Sequence, residues 1–335
     1  MKKVFKALPL LVVASLTACS KESVSQRLYF YFDTNVDAIV YAKSGDKYLS
    51  KIDSILKGID VVADSYRKRD VVGVYDLNNT NEKIEINETL YNLLYTAEQA
   101  SKIATNFNVL VGSLSNKWKD SLAKQEVLSD EIIQEEINKI NNSSLTLDKQ
   151  TSGGKTTYYA QRTGEVQIDL GGIAKGYSLD IVHEYLSSSG LSTYLVNAGS
   201  SSILLGNNWK KVGFSNNRVY DFTVNLSDVP SAYFFARGCV VSTSGNSEQG
   251  VEINDHTYSH VVNPQTGSAI MENDSVIVIS NVDKAYLGDA LSTSMMMNTV
   301  DEIKEIEEAT GVKAIVIKNK EVVYSNPDIE IKYNG

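Results

Sequence analysis

Asp289 and Thr293 stand four positions apart in Asp289-Ala290-Leu291-Ser292-Thr293. On a helix this spacing puts a carboxylate and a hydroxyl on one face, one turn apart. Such a pair suits a hard cation such as Mg2+, which takes one or two protein oxygens and completes its shell with water and phosphate. With 3 His and 2 Cys in the chain, a His-rich centre or a zinc knuckle is excluded, so any metal is a hard ion held by oxygen. Taken alone, the pair is more simply a polar helix face. Met295, Met296 and Met297 beyond it are core filler in either case.

Three further segments could do chemistry. Asp169-Leu170-Gly171-Gly172-Ile173-Ala174-Lys175-Gly176 places two glycines before a helix start, where backbone N–H groups and the helix dipole can meet a diphosphate. It matches neither the dinucleotide-binding nor the Walker spacing, and a structural turn explains it equally well. Asn197-Ala198-Gly199-Ser200-Ser201-Ser202 reads as a loop of small residues after a strand. Ser242-Thr243-Ser244-Gly245-Asn246 reads as a hydroxyl-rich turn, followed by a strand through His260 into the turn Asn263-Pro264-Gln265-Thr266-Gly267. A lone histidine is more often structural than catalytic. No G-x-S-x-G elbow accompanies Ser242 and His260, which argues against a serine hydrolase.

The elements that must position these groups alternate between strand and helix. Leu28 to Phe32 and Ala38 to Tyr41 read as a hairpin, rich in aromatic and β-branched residues. Asn87 can cap a helix running to about Ala104, with Leu90, Leu93, Leu94 and Ala97 on one face. Ile133, Ile137 and Ile140 mark a second helix from Ser129, expected as a peripheral insertion. Gln167 to Leu170 reads as a short strand entering the glycine pair, and a helix follows from Ala174 to Ser188, stopped by Gly190. Thr193 to Val196 and Val276 to Ser280 read as strands. Asp301 to Ala309 reads as a helix closed by Gly311, ahead of strands Lys313 to Ile317 and Glu321 to Tyr324. The expected class is mixed α/β (α+β), without a Rossmann rhythm.

The balance of 32 Lys+Arg against 41 Asp+Glu excludes a polybasic nucleic-acid binder. Lys2, Lys3 and Lys6 precede an apolar run, Ala7 to Leu16, too short to span a bilayer as a mature helix. It reads as a signal peptide over residues 1–18. The run ends Leu16-Thr17-Ala18-Cys19, resembling a bacterial lipobox, so Cys19 is the expected lipidation site and residues 19–26 a polar leash ahead of one domain, 27–335. Stable anchorage then follows from several acyl chains. Cys239, between apolar neighbours, reads as a buried small hydrophobe.

In their order, Asp-Leu-Gly-Gly-Ile-Ala-Lys-Gly-Tyr, Leu-Val-Asn-Ala-Gly, Ser-Thr-Ser-Gly, His-Val-Val-Asn-Pro-Gln-Thr-Gly and Asp-Ala-Leu-Ser-Thr resemble the ApbE family, the FAD:protein FMN transferases. Asn106-Phe107-Asn108 through Gly112, Asn116 and Trp118 resemble its early flavin-binding stretch. The resemblance implies two mixed lobes with FAD, a substrate, in the cleft between them. It also implies transfer of FMN to a Thr or Ser hydroxyl of an extracytoplasmic redox protein, with release of AMP. By the same resemblance Asp289, Thr293 and a backbone oxygen near Gly172 hold Mg2+, and Asn106, Phe107, Asn108, Asp169, Lys175 and Ile270 line the FAD site. His260 is the implied acid/base, and the setting a lipid-anchored protein on the extracytoplasmic side of a bacterial membrane. The chain departs from the pattern at Asn246-Ser247-Glu248-Gln249, at Asn108 in place of an aspartate, and at Ser292, where some members carry a second aspartate. The alternatives are a Mg2+-dependent FAD pyrophosphatase and a non-catalytic FAD-binding lipoprotein.

Overall fold

The computed structural model describes residues 23–207, 222–246 and 250–334. The signal segment, Cys19 and residues 247–249 lie outside them. The chain opens with strands β1 (Ser23–Tyr31) and β2 (Thr34–Ala42), helices α1 (Gly45–Ala63) and α2 (Val74–Asn78), strand β3 (Ile84–Ile86) and helix α3 (Glu88–Ser101). Helices α4 (Gly112–Leu122) and α5 (Asp130–Asn141) precede the hairpin β4 (Ser144–Ser152) and β5 (Lys155–Thr163). Helix α6 (Ala174–Ser188) leads to β6 (Tyr194–Ala198), β7 (Ser202–Leu205), β8 (Phe222–Asn225), β9 (Ala232–Ala236) and β10 (Cys239–Gly245). After β11 (Val251–Ile253), β12 (His256–Tyr258) and β13 (Ser275–Asn281) come α7 (Ala285–Met295), α8 (Val300–Thr310), β14 (Lys313–Lys318), β15 (Glu321–Ser325) and β16 (Lys332–Tyr333).

Among the described residues the largest sheet has eight strands in the order β1-β2-β6-β7-β10-β13-β14-β15, each neighbour antiparallel. Both faces of its middle are covered, so β13 and β14 are nearly continuous apolar runs instead of alternating ones. On one face Val36, Ala38, Val40 and Val196 pack with Leu49, Ile52 and Leu56 of α1 and Leu179 and Val182 of α6. On the other, Val241, Ile277 and Ile315 pack with Phe222, Val224 and Phe234 of the small sheet β16-β9-β8. A further core joins α3, Trp118 of α4, Ile173, and Leu291 of α7 to Val276 and Val278. It fastens the α3–α5 region to the sheet, leaving a cleft along the join.

Local chemistry sets the boundaries. Asn87 Oδ1 accepts from Leu90 N to start α3, which ends at Ser101, three residues short of Ala104. Thr299 and Glu302 form a reciprocal cap on α8, and Gly311 ends it at φ +75°. Strand β1 starts at Ser23, so Ser23 to Gln26, expected as leash, pair with Ile39 to Ala42.

Some local expectations give way to long-range contacts. Gln167 to Leu170 is extended but joins no sheet: Gln167 O accepts from Gly112 N, Asp169 N donates to Val109 O, and the Asn78 amide takes both backbone groups of Ile168. Ser242 to Gly245, expected as a turn, is the second half of β10, paired with β13. The segment from Ser259 through His260 is irregular instead of a strand. Cys239 is half-buried, not fully buried; it packs beside the core under the small sheet, and burial pushes its thiol up to about 12.

Candidate active site

Asp289 sits mid-way along α7 with 5% of its surface exposed. Its Oδ2 accepts from Gly176 N at 2.6 Å, and Oδ1 from Ser202 Oγ at 2.8 Å and Ser242 Oγ at 2.7 Å. All three donors are neutral. Burial pushes its carboxyl above the usual carboxylate range, against the pull of Lys175 and of these donors. One turn on, Thr293 Oγ1 donates to the Asp289 carbonyl at 3.1 Å and lies 3.3 Å from Ser244 Oγ. Period-2 alternation along β10 turns Ser242 and Ser244 toward α7 together, Ser244 also meeting Ser292 at 3.0 Å.

Gly172 closes on the same spot. A Cβ there would stand 3.1 Å from the Phe107 ring and 3.4 Å from Thr293 Oγ1, so the glycine keeps backbone exposed beside that hydroxyl. The Asp169 carboxylate accepts from Gly171 N at 2.7 Å and so shapes the turn. Lys175 Nζ reaches the Gly171 carbonyl at 3.3 Å. Asn106 N donates to Ser294 Oγ of α7 at 3.1 Å, and Asn108 Oδ1 caps the short 3-10 turn Val109–Val111 through Leu110 N at 2.9 Å.

His260 is half-buried, and its Nδ1 is buried with no hydrogen-bond partner among the described residues. Burial first, then Lys119 and Lys175, push its imidazole below the ordinary histidine value, with Asp169 opposing. The following turn is built by Asn263 Oδ1, which accepts from the backbone of Gln265 and Thr266, and by Gly267 at φ +71°. Gly267 O accepts from Trp118 Nε1 at 2.9 Å, and a Cβ at Gly267 would stand 2.4 Å from the Ile133 side chain. Helix α5 is therefore the floor of the histidine loop and not a peripheral insertion.

These groups line one cleft of about 530 Å³, which holds Asn106, Phe107, Asn108, Asp169, Gly172, Lys175, His260, Asp289 and Thr293. Ile270 is the exception: 45% exposed, it lies outside that lining. Sequence reasoning missed Lys119 and Tyr66, which share the cleft. Lys119 Nζ donates to Tyr66 Oη at 3.0 Å, and Tyr66 Oη donates to Asn116 Oδ1 at 3.2 Å. Asn116 and Trp118, beside Lys119 in the sequence, were the available signal for that lysine; none marks Tyr66.

The family model described as "ApbE family" matches residues 32–316. The chain belongs to the ApbE family. Among curated relatives, the FAD:protein FMN transferase of Vibrio cholerae is 25% identical over 276 residues, 80% of this chain and 78% of that one. The FAD:protein FMN transferase of Treponema pallidum is 24% identical, covering 80% and 76%. The ApbE protein of Thermotoga maritima superposes with a TM-score of 0.72 at 22% identity, over 91% of this chain and 98% of that one. The flavin transferase ApbE of Vibrio cholerae gives 0.68 at 19% identity, over 93% and 97%. These superpositions bear out the mixed α/β ApbE fold expected from the motifs.

Proposed function

We propose that this ApbE-family protein is an enzyme, an FAD:protein FMN transferase, which moves FMN from FAD to a Thr or Ser hydroxyl of an extracytoplasmic redox protein and releases AMP. The observation that carries the reading is one cleft joining the buried Asp289 carboxylate, the Gly172–Thr293 approach, two lysines and an unpartnered histidine nitrogen. The names of the curated relatives support it.

The residues present fit Mg2+. Asp289 is a buried carboxylate satisfied only by neutral donors, with a hydroxyl and an open backbone beside it. Among the described residues no three His, Cys, Asp or Glu side chains cluster, so a bound ion would have to draw its remaining oxygens from phosphate and water. Asp289, Thr293 and the Gly172 backbone would hold it, and when bound it would neutralise charge on the diphosphate. Lys175 and Lys119 add positive charge along the cleft. His260, held neutral, accepts the proton of the attacking hydroxyl through a ring nitrogen. The acceptor oxygen forms a bond to the FMN phosphorus, the bond from that phosphorus to the bridging oxygen breaks, and AMP leaves with the electron pair.

The lipobox supports attachment through an acylated Cys19 to the extracytoplasmic face of a bacterial membrane. No helix among the described residues is long and apolar enough to cross one.

Purified protein with FAD and Mg2+ should release AMP slowly alone. It should do so much faster with a Thr-bearing acceptor domain, FMN appearing on the acceptor as a fluorescent adduct that survives denaturation. Rapid free FMN and AMP without an adduct would establish the pyrophosphatase instead, and tight FAD binding without cleavage the non-catalytic flavoprotein.

A further inference from the structure

We propose that the outward face of β1 rests on the lipid surface, so that the protein is docked on the bilayer and not merely tethered to it. The proposal rests on the acylation of Cys19 put forward above. From Cys19 to Ser23, where β1 begins, the chain is four residues long and spans at most about 14 Å. Strand β1 covers about 30 Å, so a body this size on so short a tether must lie against the membrane along some face.

The face nearest the tether carries large apolar side chains that no other described residue covers. Val24, Leu28 and Phe30 alternate onto one side of β1 and are 37%, 63% and 66% exposed, while the intervening Tyr29 is buried in the core beneath α1. Across the hairpin Val24 pairs with Tyr41 and Gln26 with Ile39, both half-buried, which broadens the stripe. The acid on this side, Asp37, has both carboxylate oxygens at 2.9 Å from the Gln26 amide. Arg27 points the other way, to Asp46 and Ser50 of α1. β1 is also an edge of the eight-stranded sheet, and it lacks the lysines and prolines that usually protect an exposed edge from unwanted partners. Large apolar side chains left in water beside an acyl anchor are what a membrane interface accepts. β1 leads directly into the turn residues Phe32 and Asp33 and the first residue of β2, Thr34, which line the cleft, so docking would bring the cleft mouth down to the height of the lipid headgroups.

The test uses the acylated full chain in phosphatidylcholine vesicles with brominated acyl chains, which quench tryptophan on contact. Phe30→Trp and, separately, Leu28→Trp place the probe on the stripe. Val323→Trp places it on β15, the opposite edge, where the native side chain is 50% exposed. With the vesicles floated and the protein floating with them, the first two variants should lose most of their added emission relative to unbrominated lipid, and the third almost none. Floating protein with unquenched Phe30→Trp and Leu28→Trp, or with Val323→Trp quenched equally, overturns the docking and leaves the anchor standing. Protein that does not float overturns the anchor, and the docking with it.

Discussion

Asp180 and Asp289 cap each other's helices. Asp180, on α6, accepts from Ala285 N at 2.7 Å and Tyr286 N at 3.0 Å in the first turn of α7; Asp289, on α7, accepts from Gly176 N in the first turn of α6. Each carboxylate thus lies at the positive end of the other's helix dipole. Burial outweighs that gain and pushes both carboxyls up, Asp180 to about 7 with the neighbouring Asp289 adding to its rise.

The Asp180 shift has a definite sign. A folded-state pKa of about 7 against the ordinary ~3.9 of an unfolded aspartate means that the folded protein binds more protons in between. This group's contribution to stability is therefore present below the unfolded value and lost as pH rises through about 7. Asp180→Asn keeps an acceptor oxygen and removes the titration. Its Tm relative to the parent should climb from pH 5 to pH 8, as scanning calorimetry would measure; a pH-independent difference would contradict the assignment.

Asp289→Asn should retain the fold, with a Tm within a few degrees of the parent, while AMP release falls below detection. The amide keeps size and one acceptor but loses the charge that a cation requires. Near-normal turnover would mean that the metal site is elsewhere.

His260 and His183 give an internal control. His260→Ala should lose ~10²–10⁴ in kcat. His183→Ala should lose little, because His183 lies on α6 bonded to Tyr194 Oη at 2.7 Å, outside the cleft. Since burial and the lysines depress the His260 imidazole, the acid limb of kcat/KM should fall below the usual ~6.5 of histidine. Lys119→Met should move that limb upward; an unmoved limb would show that Lys119 does not act on His260.

Gly176 tests the helix contact itself. A Cβ there would stand 2.3 Å from the Ala285 carbonyl oxygen, so Gly176→Ala should cost about 3 kcal/mol or more. At Gly171 the nearest foreign atom is the movable Asp169 carboxylate at 3.1 Å, and Gly171→Ala should change Tm little. Denaturant melts of the two variants check the contrast.

Helix signals with their own caps, such as Asn87 and Ser129, were legible in the sequence because the capping atoms are local. The pairing of Asp289 with Thr293 was legible for the same reason, as one helical turn. What escaped depends on distant partners: Gln167 to Leu170 is extended enough for a strand, yet Asn78 and Gly112 take its hydrogen bonds. Lys119 escaped because its meaning comes from Tyr66, on a loop with no spacing relation to it. Ser202 and Ser242 could be read as loop and turn residues, since nothing local shows that a carboxylate from α7 will descend on them.

The pairing of β2 with β6 also governs when the protein can become itself. Val36 meets Ala198 only across the whole intervening chain, whereas β13, β14 and β15 are near neighbours in sequence. Closing so large a loop is slow, because its entropy is lost before any contact repays it. The β1–β2 hairpin, which carries one lip of the cleft, is therefore joined to the rest of the sheet by a pairing whose closure entropy is high, and the cleft's geometry depends on it.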